Sequence, residues 1–370
     1  MRVAIDATPL IGERTGVGVF TAGVIGGLAR RTDVEMIAYA VSWRGRHALD
    51  GLPPGVRTSR VPMAARPLHH AWRRLDGPVV EWWTGRVDVV HGTNFVVPPT
   101  HRAAQVVSVH DLTAIRFPEL CEPPTLQFPN LIRRALRRGA MVHTDSRAVA
   151  AEVVELLGAP EERVRTVPCG VDAQTLPEWA PPLPGPTGRP YVLALGKTEP
   201  RKDLPSLVRA FDALAGAHPD LELVIAGPAG WAEDRLKATI EQAHHRDRVR
   251  RIGWVTSPER TTLLRNAAAF AYPSIYEGFG LPPLEAMAVG VPVVTTDAGA
   301  IPEVVSDAAK IVPVGDADAL ARGLEAVLDD EAERARLIEA GRLRAAHFTW
   351  ERCAAGLHDL YRDAIALKTG

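Results

Sequence analysis

Residues 276–296 read YEGFGLPPLEAMAVGVPVVTT, and this stretch carries the clearest fold pattern in the 370-residue chain. The glycines of Glu277–Gly280 predict a tight turn, and the apolar run Val291–Thr296 predicts a buried strand. A helix is predicted between them, with suitable residues at its two ends: Pro282 and Pro283 in its first turn, Gly290 and Pro292 after its last. A strand end, a turn, a helix and another buried strand are typical of a parallel α/β sheet.

Short apolar runs alternate with amphipathic stretches through most of the chain, as in doubly wound parallel sheets. In the first half we predict strands at Val3–Ala7, Val34–Val41, Val87–His91, Gln105–Val109, Met141–Thr144 and Val164–Val167. In the second half we predict strands at Tyr191–Leu195, Leu221–Ala226, Val249–Gly253, Ala268–Tyr272, Val291–Thr296 and Lys310–Val312. The sequence therefore predicts an α/β protein with two Rossmann-like sheets.

One proline-rich segment interrupts this alternation. Six prolines within residues 176–190 exclude both a helix and a central strand: Pro177, Pro181, Pro182, Pro184, Pro186 and Pro190. We therefore predict an N-terminal domain at 1–175, a linker at 176–190 and a C-terminal domain at 191–349. The tail at 350–370 has apolar residues at helical spacing and is predicted to be a helix that crosses back to the N-terminal domain.

The composition argues against several classes of protein. The 43 lysines and arginines balance 44 acidic residues, so no nucleic-acid partner is expected. The three cysteines are far apart and form neither a disulfide framework nor a zinc motif. Met1 leads directly into the first predicted strand, and no run reaches the roughly 20 apolar residues of a membrane span. A cytoplasmic location is therefore expected.

Two glutamates flank the glycine turn of the opening segment. Glu277 lies in the turn and Glu285 near the start of the helix, at the sheet edge where doubly wound folds bind ligands. Carboxylates there can accept hydrogen bonds from sugar hydroxyls, and the backbone N–H groups within Gly280–Leu284, including that of Leu281, can meet a phosphate. The alternative is that Glu285 only complements the helix dipole and Glu277 is a solvated turn residue.

A second loop, Gly196–Leu204, follows the first strand of the second half and carries three cations. Arg201 can grip phosphate oxygens through two hydrogen bonds, while Lys202 can stabilise a departing diphosphate. In the alternative interpretation the loop is solvated and its charges pair with Glu199 and Asp203.

Through EGFGLPPLEAMAVGVPVV (277–294) and GKTEPRKDL (196–204), the chain resembles retaining glycosyltransferases of family 4, which have the GT-B fold of two Rossmann-like domains around a cleft. The resemblance covers essentially the whole chain. It implies that Glu285 binds the donor ribose and that Glu277 approaches the transferred sugar with the backbone of Gly278, Phe279 and Gly280. It also implies that Arg201 and Lys202 bind the diphosphate, and we add Lys197, where many members have an arginine.

The resemblance assigns further residues to the donor. Gly16 and Gly18 would let backbone amides approach the diphosphate; the segment is no dinucleotide fingerprint, because Thr21 replaces the third glycine. His110, at the end of an apolar strand, would point at the donor sugar, although a lone histidine is more often structural. The turn that ends at Val255 would contact the nucleobase through its backbone.

No metal or cofactor is expected. The Asp316-x-Asp318 pair opens a predicted helix and is interpreted as a cap rather than a metal site. We therefore expect the protein to remain active in the presence of a chelator.

The acceptor side is less defined. The loop Arg116–Glu119 and the turn His91–Asn94 are candidates for acceptor contacts. The basic segments 66–86 and 131–138, with Trp72, Trp82 and Trp83 in the first, could touch an anionic membrane surface, but are more typical of solvated faces. The acceptor could be a lipid carrier, a growing glycan or a small molecule.

The expected function is transfer of a hexose from a nucleoside diphosphate sugar to a hydroxyl group. The resemblance implies retention of the anomeric configuration by front-face attack. The segments His110–Leu112 and Phe117–Glu119 look similar to mannosyltransferases of surface polysaccharides, so GDP-mannose is preferred over a UDP sugar. The rival functions are a sugar-nucleotide epimerase or hydrolase, and a non-catalytic protein that binds nucleotide sugars.

Overall fold

The computed structural model describes residues 1–12, 16–45, 49–171 and 188–369. The chain forms two compact units: unit 1 comprises Met1–Gly170 and Thr349–Gly370, and unit 2 comprises Val171–Phe348. Most of the segment predicted as a linker, 176–190, lies outside the described residues.

Unit 1 contains a seven-stranded parallel sheet with the strand order β3-β2-β1-β4-β5-β6-β7. Its strands are β1 Arg2–Asp6, β2 Glu35–Tyr39, β3 Arg57–Thr58, β4 Val89–Gly92, β5 Ala104–Val109, β6 Met141–Thr144 and β7 Val164–Thr166. Its first six helices are α1 Gly16–Ala29, α2 Ala65–Trp72, α3 Glu81–Thr84, α4 Thr113–Arg116, α5 Phe128–Arg137 and α6 Arg147–Leu157. The edge strand β3 was not predicted, because two residues carry no periodic pattern.

Unit 2 contains a six-stranded parallel sheet with the order β10-β9-β8-β11-β12-β13. Its strands are β8 Tyr191–Leu195, β9 Glu222–Ala226, β10 Val249–Gly253, β11 Ala269–Tyr272, β12 Val293–Thr296 and β13 Lys310–Val312. Its helices are α7 Leu204–Leu214, α8 Glu233–Gln242, α9 Ser257–Asn266, α10 Leu281–Ala288, α11 Ile301–Val305, α12 Ala317–Asp329 and α13 Glu331–Ala345. The prediction of two Rossmann-like parallel sheets is confirmed.

The strand orders locate the ligand-binding edge of each sheet. In doubly wound sheets, ligands bind at the carboxyl ends of the two strands where the order reverses. In unit 1 these strands are β1 and β4, and in unit 2 they are β8 and β11. The loops after β8 and β11 are the two that carry the predicted phosphate and sugar residues of unit 2.

The last helix, α14 at Trp350–Thr369, belongs to unit 1 and packs against α1. Two glycines of α1 make this approach possible, because a Cβ atom on Gly23 or Gly27 would collide with Trp350. On its buried face α14 places Leu357 and Tyr361 in the interior of unit 1.

We expect Leu357→Ala on α14 to lower the free energy of unfolding of unit 1 by about 2–5 kcal/mol, because it removes a fully buried side chain and leaves a cavity. Leu367→Ala on the same helix is the control, since Leu367 is 43% exposed and its loss should change stability by less than about 0.5 kcal/mol. Urea unfolding, monitored by hydrogen exchange in peptides of β1 and α14, measures both changes in the free energy of unfolding. Equal effects of the two substitutions would show that α14 does not stabilise unit 1.

Candidate active site

Glu277 lies in the loop between β11 and α10, and is 6% exposed. Its Oε1 accepts hydrogen bonds from Lys202 Nζ at 2.5 Å and Ser274 Oγ at 2.7 Å, and its Oε2 pairs with Arg201 Nη1 at 2.8 Å. Burial raises the pKa of this carboxyl group, but the charges of Arg201 and Lys202 outweigh burial and lower the pKa to about 2. Glu277 is therefore a buried carboxylate with both oxygens engaged, and its interpretation as a solvated turn residue is wrong.

Lys202 reaches Glu277 from the loop after β8. Its ammonium group also donates to the Tyr272 hydroxyl at 2.5 Å and lies 4.4 Å from the centre of the Tyr272 ring. The backbones of the two loops are also hydrogen-bonded to each other, because the Ile275 N–H donates to the Arg201 carbonyl oxygen at 2.7 Å. The loops after β8 and β11 are thus joined at the point where the strand order reverses. For Lys202, which is buried, the interpretation as part of a solvated loop is wrong.

The other cations of this loop are arranged around Glu199. Arg201 Nε donates to Glu199 Oε2 at 3.0 Å, so Arg201 bridges Glu199 and Glu277. Lys197 Nζ is 3.8 Å from Glu199 Oε1 and 4.9 Å from the centre of the Trp231 ring. The predicted pairing of this loop with Glu199 is therefore present, alongside the buried contacts to Glu277.

The glycine turn at Glu277–Gly280 is buried and packs closely against the turn that contains Gly299. Gly278, Phe279, Gly280 and Leu281 are all buried, and Gly280 precedes α10 with a φ of 101°, in the left-handed region that favours glycine. A neighbouring turn packs beneath it: the Ala300 N–H donates to the Glu277 carbonyl oxygen at 2.9 Å, and a Cβ atom on Gly299 would collide with that carbonyl.

Glu285 is the fifth residue of α10 and is buried. Each of its two carboxylate oxygens accepts a hydrogen bond from one terminal nitrogen of Arg260, which α9 supplies. Sequence reasoning missed Arg260, because a lone arginine in the middle of a polar helix carries no local signal. Glu285 therefore forms a bidentate ion pair with Arg260, and its role is not limited to an interaction with the helix dipole.

The turn after β10, predicted to contact a nucleobase, contains half-exposed Trp254 and Val255 after Gly253, whose φ is 76°. Arg251, in the middle of β10, is hydrogen-bonded to the surrounding loops. Its guanidinium group donates to the Gly227 carbonyl oxygen at 2.8 Å, the Thr198 hydroxyl at 3.0 Å and the Glu233 carboxylate at 3.1 Å. The loops after β8 and β9 are therefore fixed beside this turn.

In unit 1, His110 follows β5 and is largely buried between Phe20 and Phe95, whose rings meet it edge-on at 4.9 and 5.7 Å. Its Nδ1 is 2.6 Å from Asp145 Oδ2, and its Nε2 is 2.8 Å from the Thr93 carbonyl oxygen. Asp145 was missed, although it follows a predicted strand as a polar residue at the same sheet edge. Asp111 forms a local turn by accepting hydrogen bonds from the backbone and hydroxyl of Thr113.

Several other predicted residues of unit 1 have different settings from those expected. Gly16 and Gly18 belong to the first turn of α1 rather than to a loop before it; Thr15 lies outside the described residues. The acceptor prediction for His91 is wrong, because His91 is fully buried within β4. Arg116 forms ion pairs with Glu152 and Glu155 of α6.

The basic, tryptophan-bearing segments divide into buried and exposed parts. Trp72 is buried, whereas Trp82 is 74% exposed. Arg134 of α5 and Arg138, the residue after this helix, pair with Asp76; the aspartate is exposed, whereas only 19% and 14% of the two arginine side chains are exposed. No helix in the described part of the chain is long and apolar enough to cross a membrane.

The residues 316–318 behave as predicted for a helix cap. The Asp316 side chain accepts a hydrogen bond from the Ala319 N–H and begins α12. Within residues 1–12, 16–45, 49–171 and 188–369, no group of three or more histidine, cysteine or carboxylate side chains is arranged to hold a metal ion.

The chain is similar in sequence to known glycosyltransferases. The chain is 27% identical to the O-antigen chain mannosyltransferase B of Escherichia coli, over 98% of this chain and 100% of the relative. It is 32% identical to the D-inositol 3-phosphate glycosyltransferase of Salinispora arenicola, over 77% and 68% of the two chains.

Solved structures share the fold. Sucrose-phosphate synthase of Thermosynechococcus elongatus superposes with a TM-score of 0.77 at 19% identity, over 99% of both chains. HepE of Anabaena, solved in complex with UDP-glucose, superposes with a TM-score of 0.73 at 17% identity, over 97% of this chain and 98% of the other.

The family profiles divide the chain in two. Residues 14–175 match the family described as Glycosyltransferase Family 4, and residues 177–344 match the one described as Glycosyl transferases group 1. Together with the relative at 32% identity, these matches show that the chain belongs to the family-4 glycosyltransferases, which have the GT-B fold.

Proposed function

We propose that this glycosyltransferase transfers a hexose, with retention of configuration and without a metal ion, from a nucleoside diphosphate sugar to a hydroxyl acceptor. The observation that supports the proposal best is the buried cluster of Arg201, Lys202 and Glu277 where β8 and β11 meet. It provides cations for a diphosphate and a carboxylate for a sugar at the ligand-binding edge of one sheet.

The cations of the cluster receive the diphosphate. An ammonium group has three donor protons, and hydrogen bonds to Tyr272 and Glu277 use two of those of Lys202. We assign the third to a diphosphate oxygen, together with Arg201, Lys197 and the backbone amides at the start of α10. These donors stabilise the charge that develops on the diphosphate as its bond to the sugar breaks.

The state of Glu277 restricts its role. A carboxyl group with a pKa of about 2 is too weak a base and too fully ionised to exchange protons with the substrate near neutral pH. Both of its oxygens already accept hydrogen bonds, which argues against a covalent nucleophile. We therefore assign Glu277 to orientation of the cations and of the sugar.

A front-face reaction requires no protein nucleophile. The bond between the anomeric carbon and the phosphate oxygen breaks, and the acceptor oxygen bonds to the same face of the carbon. The acceptor proton passes to the departing phosphate oxygen, so that atoms and charge balance. We assign His110 of unit 1 to the transferred sugar, as the family resemblance implies.

We propose that Glu285 binds the ribose of the donor and that the turn at Val255 receives the base. The preference for GDP-mannose draws support from the Escherichia coli relative, a mannosyltransferase matched over the full length of both chains. The HepE structure contains UDP-glucose, but its 17% identity supports only the fold. A UDP sugar is therefore the second choice, and a glycan or lipid-linked acceptor remains part of the proposal.

We expect a nucleotide to stabilise the wild type but not Glu285→Ala, because the substitution removes the carboxylate that accepts the ribose hydroxyls. A ligand at about 100 times its Kd should add about 2.7 kcal/mol to the free energy of unfolding. Thermal shift and calorimetry with GDP, UDP, ADP, TDP and their sugars, all in EDTA, measure the effect and identify the base.

Arg260→Met is the matched control for this experiment. It breaks the same ion pair but retains the Glu285 carboxylate, so nucleotide binding should persist. Equal loss of binding in both variants would assign the pair a structural role only. Failure of every nucleotide to bind the wild type would overturn the proposed donor site.

We expect Lys202→Met to reduce kcat by about 100-fold or more while donor binding weakens less, because the ammonium group acts mainly on the charge that develops as the diphosphate departs. The rate of transfer is measured in EDTA with the donor found in the binding screen. The anomeric signals of the product, read by NMR, report the configuration in the same assay.

Lys237→Met is the control, since Lys237 is exposed on α8 and should leave kcat unchanged. An unchanged kcat in Lys202→Met would remove Lys202 from the chemistry. Loss of wild-type activity in EDTA, or a product of inverted configuration, would contradict the metal-independent, retaining mechanism.

We expect Glu277→Gln to lower the free energy of unfolding by about 3–5 kcal/mol at neutral pH, since it leaves buried cations without their carboxylate. The folded-state pKa of about 2 lies below the usual 4.5, so this stabilisation is present above the usual pKa and is lost as the pH falls toward 2. The difference between wild type and Glu277→Gln should therefore narrow between about pH 6 and about pH 3.

Urea unfolding at each pH measures this difference, with the exposed Glu325→Gln as a control that should show no such trend. A difference that stays constant with pH would mean that Glu277 is not held as an anion in the folded protein.

A further inference from the structure

Four buried polar side chains of unit 1 form a continuous chain of hydrogen bonds. The hydroxyl of Tyr361 on α14 lies 2.7 Å from His91 Nδ1, and His91 Nε2 lies 2.8 Å from Ser108 Oγ. Ser108 Oγ in turn lies 2.9 Å from His143 Nδ1, and His143 Nε2 lies 2.9 Å from the Val167 carbonyl oxygen. All four side chains are fully buried.

Burial lowers the pKa of His91 and His143 and favours the neutral form, and with one ring proton on each histidine the last acceptor sets the direction of every hydrogen bond in this chain. A carbonyl oxygen only accepts, so His143 donates from Nε2 to Val167, and its Nδ1 accepts the Ser108 proton. Ser108 Oγ then accepts from His91 Nε2, and His91 Nδ1 accepts the Tyr361 proton.

His110 has a different environment, because both of its ring nitrogens face acceptors. Nε2 faces the carbonyl oxygen of Thr93, and Nδ1 faces the carboxylate of Asp145. Burial raises the pKa of Asp145, but the neighbouring histidines and the Cys169 thiol outweigh burial and lower it, so Asp145 is ionised. Both His110 nitrogens then carry a proton to satisfy their partners, and His110 is an imidazolium ion. Asp145 is its counterion, and the other Asp145 oxygen accepts from the Cys169 thiol at 3.2 Å.

We propose that Asp145 is the positioning residue for His110: it fixes the ring through Nδ1 and keeps it doubly protonated, so that His110 acts on the donor as a fixed cation rather than as a base. The proposal rests on the proposed function where it concerns the donor. The protonation and orientation of His110 rest on the geometry of unit 1 alone.

The charges around His110 agree with this assignment. The Asp145 carboxylate meets it from the end of β6, and Asp111 is its neighbour in sequence. His143 on β6, whose Nε2 lies 3.7 Å from Asp145 Oδ1, and His91 on β4 are the neighbouring histidines, while α1 contributes the Phe20 ring and the segment after β4 the Phe95 ring. Burial lowers the pKa of His110, but the Asp145 carboxylate outweighs burial and raises it above the usual value.

A cationic His110 suits the front-face reaction. The acceptor proton goes to the departing phosphate, so the reaction requires no histidine base. A fixed positive charge near the donor instead stabilises the negative charge that develops on the leaving group. Because Asp145 and the Thr93 carbonyl hold the ring before the donor binds, no reorganisation is needed at that step.

Nitrogen NMR of the histidine rings tests the protonation state without any substrate. In the wild type, the signal that disappears in His110→Gln should be that of an imidazolium at neutral pH. In Asp145→Asn the titration of His110 should move to lower pH by about one unit or more, because the opposite charge is gone. Tyr361→Phe, which shortens the neutral chain behind it, should leave the titration of His110 unchanged.

The pH dependence of kcat provides a second readout. Activity should fall as the pH rises through the pKa of His110, and this limb should move to lower pH in Asp145→Asn, with binding of the free nucleoside diphosphate unchanged. A neutral His110 in the wild-type spectrum, or an unshifted titration in Asp145→Asn, would overturn the proposal. An imidazolium His110 in a protein that binds no nucleotide would instead retain the positioning role and contradict the proposed function.

Discussion

The structure of the site depends on the ion pair between Lys202 and Glu277. Neither charge can be buried alone, because removal of a charged group from water costs several kcal/mol unless a partner compensates it. The pair therefore joins two loops that are 75 residues apart in the sequence, at the position where the strand order of unit 2 reverses. Ser274 and Arg201 complete the hydrogen bonds of the Glu277 oxygens, and Tyr272 accepts a second hydrogen bond from Lys202.

Much of this arrangement could be predicted from the sequence. Apolar runs with helices between them identify strands, and parallel strands bring their carboxyl ends to one edge, so Glu277 and Lys202 could be assigned to the same edge. The positions of the strands agree with the prediction to within a few residues, except for β3, whose two residues are too short for a pattern. The cap at Asp316 could be predicted because its partner is local, three residues further on.

The partners that could not be predicted lie far away in sequence. Arg260 lies on a separate helix from Glu285, and nothing around either residue identifies the other. The turn His91–Asn94 was a candidate for acceptor contacts because it follows a predicted strand, yet His91 is a fully buried member of a hydrogen-bond chain that ends on α14. The sequence gives the chemical type of each side chain, whereas the topology of the fold determines which residues that side chain contacts. For the same reason, the charge state of Glu277 follows only from the structure.

Each unit holds a cation at the carboxyl edge of its sheet, and both units do so by the same type of contact. In each, a loop at the carboxyl end of one strand carries a cation, and a neighbouring loop carries the carboxylate that holds it: Lys202 with Glu277 in unit 2, and His110 with Asp145 in unit 1. Groups with fixed charge and fixed orientation stabilise a developing charge without reorganisation, and such stabilisation is usually the largest single contribution to catalysis. Since neither carboxylate has an oxygen without a hydrogen-bond partner, we assign both carboxylates to holding the cations, and in the proposed reaction the acceptor proton passes to the phosphate.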